Sequence, residues 1–228
     1  MTRPILITRP KSSATNFANL LSDRGIPHTS IYVSPIMAIL PVAFKMPHFE
    51  VAIFTSAQGV QAFPTGVAHR RAAYCVGEKT TQAAQNAGFE AIYGGGTLDQ
   101  LKEYLQIHPP KGVVAHFRGA HTIGDLSTSL PHMKDVVIYY QKAQNLTNNA
   151  KNLLQRESRV FLPLFSPRSA ALVLNQPCNF HTHQAICISP AVADICTQKG
   201  MTHIAIAAAP TAWDMANVIC DMVRTNVG

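Results

Sequence analysis

The residues able to do chemistry in this chain are mostly hydroxyls and arginines, with one phenol, and they sit where apolar runs end. Arg9 follows Ile5-Leu6-Ile7-Thr8, and Thr55-Ser56 follow Val51-Ala52-Ile53-Phe54. Gly77 and Thr80 follow Cys75-Val76, and Arg118 closes Val113-Val114-Ala115-His116-Phe117. Tyr140 closes 136–140, Ser166 follows Leu164-Phe165, and Ser189 follows Ile186-Cys187-Ile188. Hydroxyls and backbone N–H groups at helix starts suit carboxylates or phosphates, because the first turn of a helix carries unpaired donors and the positive end of its dipole. Capping alone also accounts for Ser56, Ser166 and Ser189, and it is each serine's first role. No nucleophile elbow is present, and the serines have no evident His/Asp pairing.

The other candidates carry less. Gly94-Gly95-Gly96 fits neither a dinucleotide fingerprint nor a phosphate loop and reads as a turn. His181-Thr182-His183 lacks a third ligand at a telling spacing, so it reads as a polar surface loop and no metal site is expected. Tyr139-Tyr140 closes a strand, so one ring should enter the core and the other point away.

These residues need elements to hold them. Strand-like runs occupy 5–8, 29–33, 51–54, 72–76, 91–93, 113–117, 136–140, 160–165, 184–188 and 203–207, with helix-sized stretches between most of them. Such alternation predicts parallel sheets covered on both faces. Thr97-Leu98-Asp99-Gln100 and Thr211-Ala212-Trp213-Asp214 read as capping boxes. Ser166-Pro167 and Ser189-Pro190 read as capped starts with proline at the first helical position, and Gly25, Gly88 and Gly200 as stops.

The chain also repeats itself. Val76-Gly77 with Gly88-Phe89 and Thr97-Leu98-Asp99 parallels Ile188-Ser189 with Gly200-Met201 and Thr211-Ala212-Trp213. Ahead of these, Phe54-Thr55-Ser56 parallels Phe165-Ser166-Pro167, and 5–10 parallels 113–119 more weakly. The order A, B, A′, B′ gives five strands per half, enough for two flavodoxin-like sheets. The repeat alone leaves the pairing open between A+B with A′+B′ and A+B′ around B+A′.

Composition bounds the partners. The 228 residues are 47% hydrophobic and only 14% charged, which excludes a disordered chain. Lys and Arg number 19 against 12 Asp and Glu, a net +7 that suits an anionic partner. The basic residues are scattered and not interleaved with aromatics, so a nucleic-acid partner is not expected. No stretch is long and apolar enough to span a membrane, and no signal peptide is read at the amino end. The five cysteines form no C-x-x-C pair and read as reduced, mostly buried thiols of a cytoplasmic protein.

Taken in order, several segments resemble the uroporphyrinogen-III synthase family. They are Ile5-Leu6-Ile7-Thr8-Arg9-Pro10, Ile53-Phe54-Thr55-Ser56-Ala57, Cys75-Val76-Gly77-Glu78-Lys79-Thr80, Phe117-Arg118-Gly119, Tyr139-Tyr140-Gln141 and Phe165-Ser166-Pro167-Arg168-Ser169. The sequence departs from the family near the last third, where Ser189-Pro190-Ala191-Val192 replaces the usual Gly-Pro-x-Thr.

The resemblance implies two flavodoxin-like parallel-sheet α/β domains joined by two extended linkers near 36–41 and 141–145. One domain would hold residues 1–36 with 144–228, the other 40–140. It implies a lyase that cyclises hydroxymethylbilane, a polyanion, with loss of water and inversion of the terminal pyrrole ring. It implies a monomer with no cofactor. Tyr140 matches the family's favoured acid, and a phenol keeps its proton at pH 7. Arg9, Thr55, Ser56, Gly77, Thr80, Arg118, Ser166 and Ser189 would then line an electropositive substrate site. The competing reading is a non-catalytic two-domain ligand-binding or sensor protein on the same fold.

Overall fold

In the computed structural model, residues 3–121, 124–127, 129–130, 132–157 and 159–225 are described. The chain divides into two compact units, Met1–Ala38 with Lys142–Gly228, and Ile39–Gln141.

The first unit is built on strands β1 (Ile5–Ile7) and β2 (Ile31–Val33), with helix α1 (Lys11–Ser22) between them. The second unit begins within β3 (Met37–Pro41), and runs through β4 (Val51–Phe54), α2 (Ala57–Ala62), β5 (Ala72–Cys75) and α3 (Glu78–Asn86). It continues through β6 (Glu90–Tyr93), α4 (Leu98–Ile107), β7 (Val114–Gly119) and β8 (Lys134–Ala143). The chain then completes the first unit with α5 (Asn148–Arg156), β9 (Phe161–Leu164), α6 (Pro167–Leu174) and β10 (Gln184–Cys187). Last come α7 (Pro190–Gln198), β11 (His203–Ile206) and α8 (Ala212–Thr225).

The first sheet has the order β11-β10-β9-β1-β2, and its pairings are parallel. Numbered within the unit this is 2-1-3-4-5, the flavodoxin-like order. Its direction of growth reverses between β1 and β9. The second sheet has the order β3-β8-β7-β4-β5-β6, with parallel pairings from β8 to β6, and it reverses between β4 and β7.

The sixth strand is a correction to the expected five per half. Residues 36–41 and 141–145, which the resemblance implies as extended linkers, do carry the chain between the two units in extended form, and most of both segments is strand. Gln144 N–H donates to Ile36 O (2.9 Å) and Val42 N–H to Ile138 O (3.0 Å). One index falls as the other rises, so β3 and β8 run antiparallel. Backbone N–H and C=O groups seek partners wherever water is displaced, and two extended segments side by side satisfy each other.

Strands buried on both faces explain the near-continuous apolar runs. Leu6 packs into one cluster with Val160, Leu162 and Leu164, while Ile5 and Ile7 enter another with Phe17, Met215 and Ile219. In the second unit Ala52 and Phe54 face Phe49, Phe63, Phe89 and Phe117, while Val51 and Ile53 face Leu101 and Leu105. Each fully buried Leu, Ile or Phe contributes on the order of 1.5–3 kcal/mol, so these alternations fix strand register strongly.

Helix starts follow the expected chemistry with three differences. The side chains of Ser56, Thr97, Thr147 and Ser166 accept backbone N–H bonds from Gly59, Gln100, Ala150 and Ser169. Gln100 reaches back to the Gly96 N–H, one residue before the N-cap. At α8 Thr211 accepts from the Asp214 N–H (3.1 Å), but its hydroxyl donates to the Asp214 carboxylate, so the reciprocal arm of the box is absent. Ser189 stands at the N-cap position of α7 and makes no side-chain cap bond.

His183 is the clearest reversal. Read as part of a surface loop, it is 1% exposed. Its Nδ1 accepts from the Val160 N–H (3.2 Å), and Nε2 donates to Leu154 O (3.1 Å). The ring ties α5 to β9, and burial lowers its pKa.

Four of the five thiols are buried, and Cys178 is partly exposed. Burial pushes Cys75 up to about 12. No described helix is long and apolar enough to cross a membrane.

Candidate functional site

Open parallel sheets bind ligands beyond the carboxyl ends of their strands, at the point where strand order reverses. Each unit has one such point.

In the first unit it lies at the ends of β1 and β9, which place Arg9, Phe165 and Ser166. The Arg9 guanidinium lies 4.0 Å from the centroid of the Phe165 ring. That ring is held edge-on by Phe17 at 4.9 Å. A guanidinium stacked on an aromatic face has fewer orientations to lose when it binds an anion. Burial lowers the Arg9 pKa without discharging it, and it forms no ion pair among the described residues. Ser166 caps α6, and its Oγ lies 2.8 Å from Ser169 Oγ. Ser189 lies at the end of the neighbouring β10.

In the second unit the reversal point lies at the ends of β4 and β7, and here the structure adds what sequence reading missed. Thr55 Oγ1 is 3.3 Å from His116 Nε2, and His116 Nδ1 is 3.0 Å from Asp135 Oδ1. The other carboxylate oxygen of Asp135 is 3.0 Å from an Arg118 guanidinium nitrogen. A second Arg118 N–H donates to Gly119 O (3.1 Å). Arg118, expected beyond a strand, thus lies inside β7 and is tied to its own surroundings. His116 is 4% exposed. Burial lowers its pKa, while Asp135, by charge and hydrogen bond, works against that shift.

Among the described residues it is a threonine, Thr55, that stands in line with a histidine and an aspartate. One signal was available. His116 interrupts an apolar strand, and a buried imidazole requires partners. Those partners lie 61 and 19 residues away in sequence, where no local pattern reaches.

Ser56, next to Thr55, does two things. Its Oγ accepts from the Gly59 N–H (3.2 Å), and it shares a 3.0 Å hydrogen bond with the Tyr139 hydroxyl. Tyr139 can come this close because Gly119 has no side chain. A Cβ there would lie 2.6 Å from the Tyr139 ring. The β7–β8 register shifts at the same place, between Arg118 and Gly119.

Tyr139 is buried, whereas Tyr140 is 40% exposed. The expected division of the two rings is what the pleat produces. Tyr140 does not close its strand, because β8 continues to Ala143 against β3.

Gly77 is the N-cap of α3 at φ +80°, a conformation costly for any residue with a Cβ. Its N–H donates to Gly95 O (2.8 Å). Thr80 lies in the first turn of α3. It is buried, one helical turn from buried Ala84, so it lies on the packed side of α3. No group of His, Cys, Asp and Glu among the described residues could hold a metal ion.

Comparison with known proteins places the chain. A family model described as uroporphyrinogen-III synthase HemD matches residues 16–217. The structure is similar to that of uroporphyrinogen-III synthetase from Helicobacter pylori 26695, with TM-score 0.68 and 18% identity, covering 99% of this chain and 100% of that one. It is also similar to a mutant uroporphyrinogen III synthase from the extremely thermophilic bacterium Thermus thermophilus, with TM-score 0.53 and 13% identity over 98% and 99% of the two chains. At these identities the structural likeness speaks for the fold. No curated protein matches significantly by sequence.

Proposed function

The chain belongs to the uroporphyrinogen-III synthase family, and from that premise we propose that it is a cyclising lyase acting on hydroxymethylbilane. The reaction removes water, inverts the terminal pyrrole ring and closes uroporphyrinogen III. The observation that carries this reading is the family match over residues 16–217. The stacked Arg9 at a switch point, with no ion pair among the described residues, agrees with it, because such a group is set to receive an anion.

The chemistry asks little of the protein. The pyrrole nitrogen pushes electrons toward the hydroxymethyl carbon, and the hydroxyl leaves as water once a proton reaches its oxygen. Ring closure at a pyrrole carbon later releases a proton, so the net loss is one water. The protein must supply that first proton and hold the chain ends in a reactive arrangement. We assign the proton to Tyr140, whose ring is exposed while its neighbour's is buried. Arg9 and the amino end of α6, capped by Ser166, are assigned to substrate carboxylates. Ser189 and Gly77 are further contacts on this reading, Ser189 with its hydroxyl unspent on a cap. Thr80 and Arg118 are given supporting roles, since one is buried and the other is bound to Asp135.

The test is isomer analysis of the product. Purified protein with hydroxymethylbilane and no added metal should give the type III isomer. Formation of only the spontaneous type I isomer under excess protein would sink the assignment.

A further inference from the structure

The hydroxyl of Thr55 has its polarity set by the groups behind it. Asp135 receives two neighbours, His116 Nδ1 at 3.0 Å and an Arg118 nitrogen at 3.0 Å. A guanidinium can only donate, and an ionised carboxylate can only accept. The proton between His116 and Asp135 therefore sits on Nδ1. In the neutral imidazole Nε2 is then a bare acceptor. The atom facing it is Thr55 Oγ1, at 3.3 Å. The single proton of the threonine hydroxyl is committed to the ring, and only oxygen lone pairs remain for anything else.

Thr55 is half-buried at the end of β4, at the point where the second sheet reverses its order. An oxygen fixed as acceptor would repel a carboxylate and would welcome an N–H. Deepening the reading given above, and resting on it, we propose that Thr55 accepts a hydrogen bond from a pyrrole N–H of the tetrapyrrole, and that His116 and Asp135 are positioning residues that hold it in this polarity.

The groups facing His116 are Thr55 from the end of β4, Asp135 from β8 and Arg118 from its own strand β7, with Asp125 contributing charge from further away. Protonation of the ring would place a donor on Nε2, release the Thr55 proton outward and turn the acceptor into a donor. Burial puts that event below the ordinary histidine range.

The experiment has two arms. In the first, 15N NMR of histidine-labelled, unliganded protein reads the tautomer directly. The inference expects hydrogen on Nδ1 of His116, and an Nε2–H ring in neutral protein overturns it whatever reaction the protein performs. In the second, affinity is measured for uroporphyrinogen III and for mellitate, which offers carboxylates and no N–H. Thr55→Val should weaken uroporphyrinogen III by about tenfold, the worth of one hydrogen bond, and leave mellitate unchanged. Thr55→Ser should restore the loss. In wild-type protein KM should rise on acidification through the His116 titration with kcat less affected, and Thr55→Val should flatten that rise. Unchanged uroporphyrinogen III affinity in the valine variant, or an equal loss for mellitate, overturns the inference while type III formation by wild-type protein leaves the function standing. If wild-type protein makes no type III isomer, the function fails and the pyrrole N–H falls with it.

Discussion

At the residue scale, the proposed acid Tyr140 and its neighbour Tyr139 differ in burial. Tyr139 is buried, and its hydroxyl is bonded to Ser56, while Tyr140 is exposed. Tyr140→Phe should reduce single-turnover closure by about a hundredfold or more if the phenol protonates the leaving oxygen. Its stability should move little. Tyr139→Phe should lose about 1 kcal/mol of stability with its hydrogen bond and keep most of its rate. Equal rates for the two variants would remove Tyr140 as the acid.

The same scale sets the acid limb of stability. His116 and His183 are both buried and have pKa values lowered chiefly by desolvation. Unfolding returns each ring toward the ordinary value of 6.5. Below that value the unfolded chain binds protons that the folded chain refuses, so stability falls as the solution is acidified. Above it these two groups contribute no pH dependence. Urea midpoints should therefore decline from about pH 6.5 downward, and His183→Gln should flatten part of the slope. A midpoint independent of pH across that range would contradict the burial of both rings.

At the element scale, the helix caps make a matched pair. Ser166 satisfies the Ser169 N–H, whereas Ser189 makes no cap bond at the corresponding position of α7. Ser166→Ala should cost about 1 kcal/mol, the usual worth of a serine cap, and Ser189→Ala should cost much less. Denaturant midpoints of the two variants measure this directly, and equal losses would show that Ser189 caps α7 in solution. Sequence could place both serines at helix starts, because Ser-Pro before an apolar run is a local signal. Which hydroxyl bends back to the backbone depends on packing around each first turn. The strand pair of β3 and β8 is a similar case. The run 136–140 is legible as strand by itself, but the extension of β8 to Ala143 and the whole of β3 rest on hydrogen bonds between the two segments.

At the scale of the whole molecule, the net charge of +7 and the proposed polyanionic ligand predict salt sensitivity. Exposed charges are screened over about 10 Å at 0.1 M ionic strength. Product affinity should fall steadily as salt is raised from low to physiological strength, measured by equilibrium titration. Affinity indifferent to salt would argue that backbone donors, and not the basic side chains, hold the carboxylates.

The sequence by itself determined the alternation of strands and helices, the two-sided burial of the strands, and the placement of Arg9, Thr55, Ser56, Ser166 and Ser189 near strand ends. All of these follow from short-range pattern: an apolar run, a turn residue, a capping hydroxyl. Only the tertiary structure decided which strand ends adjoin. It brought Thr55 against His116 and Asp135, laid Arg9 on Phe165, buried Thr80 and His183, and paired the two extended linkers with each other as strands. Each of these joins residues far apart along the chain, or rests on which face of an element is covered. Periodicity within one segment carries no information about its neighbour across the sheet, because strand order is set by crossover connections and shared burial.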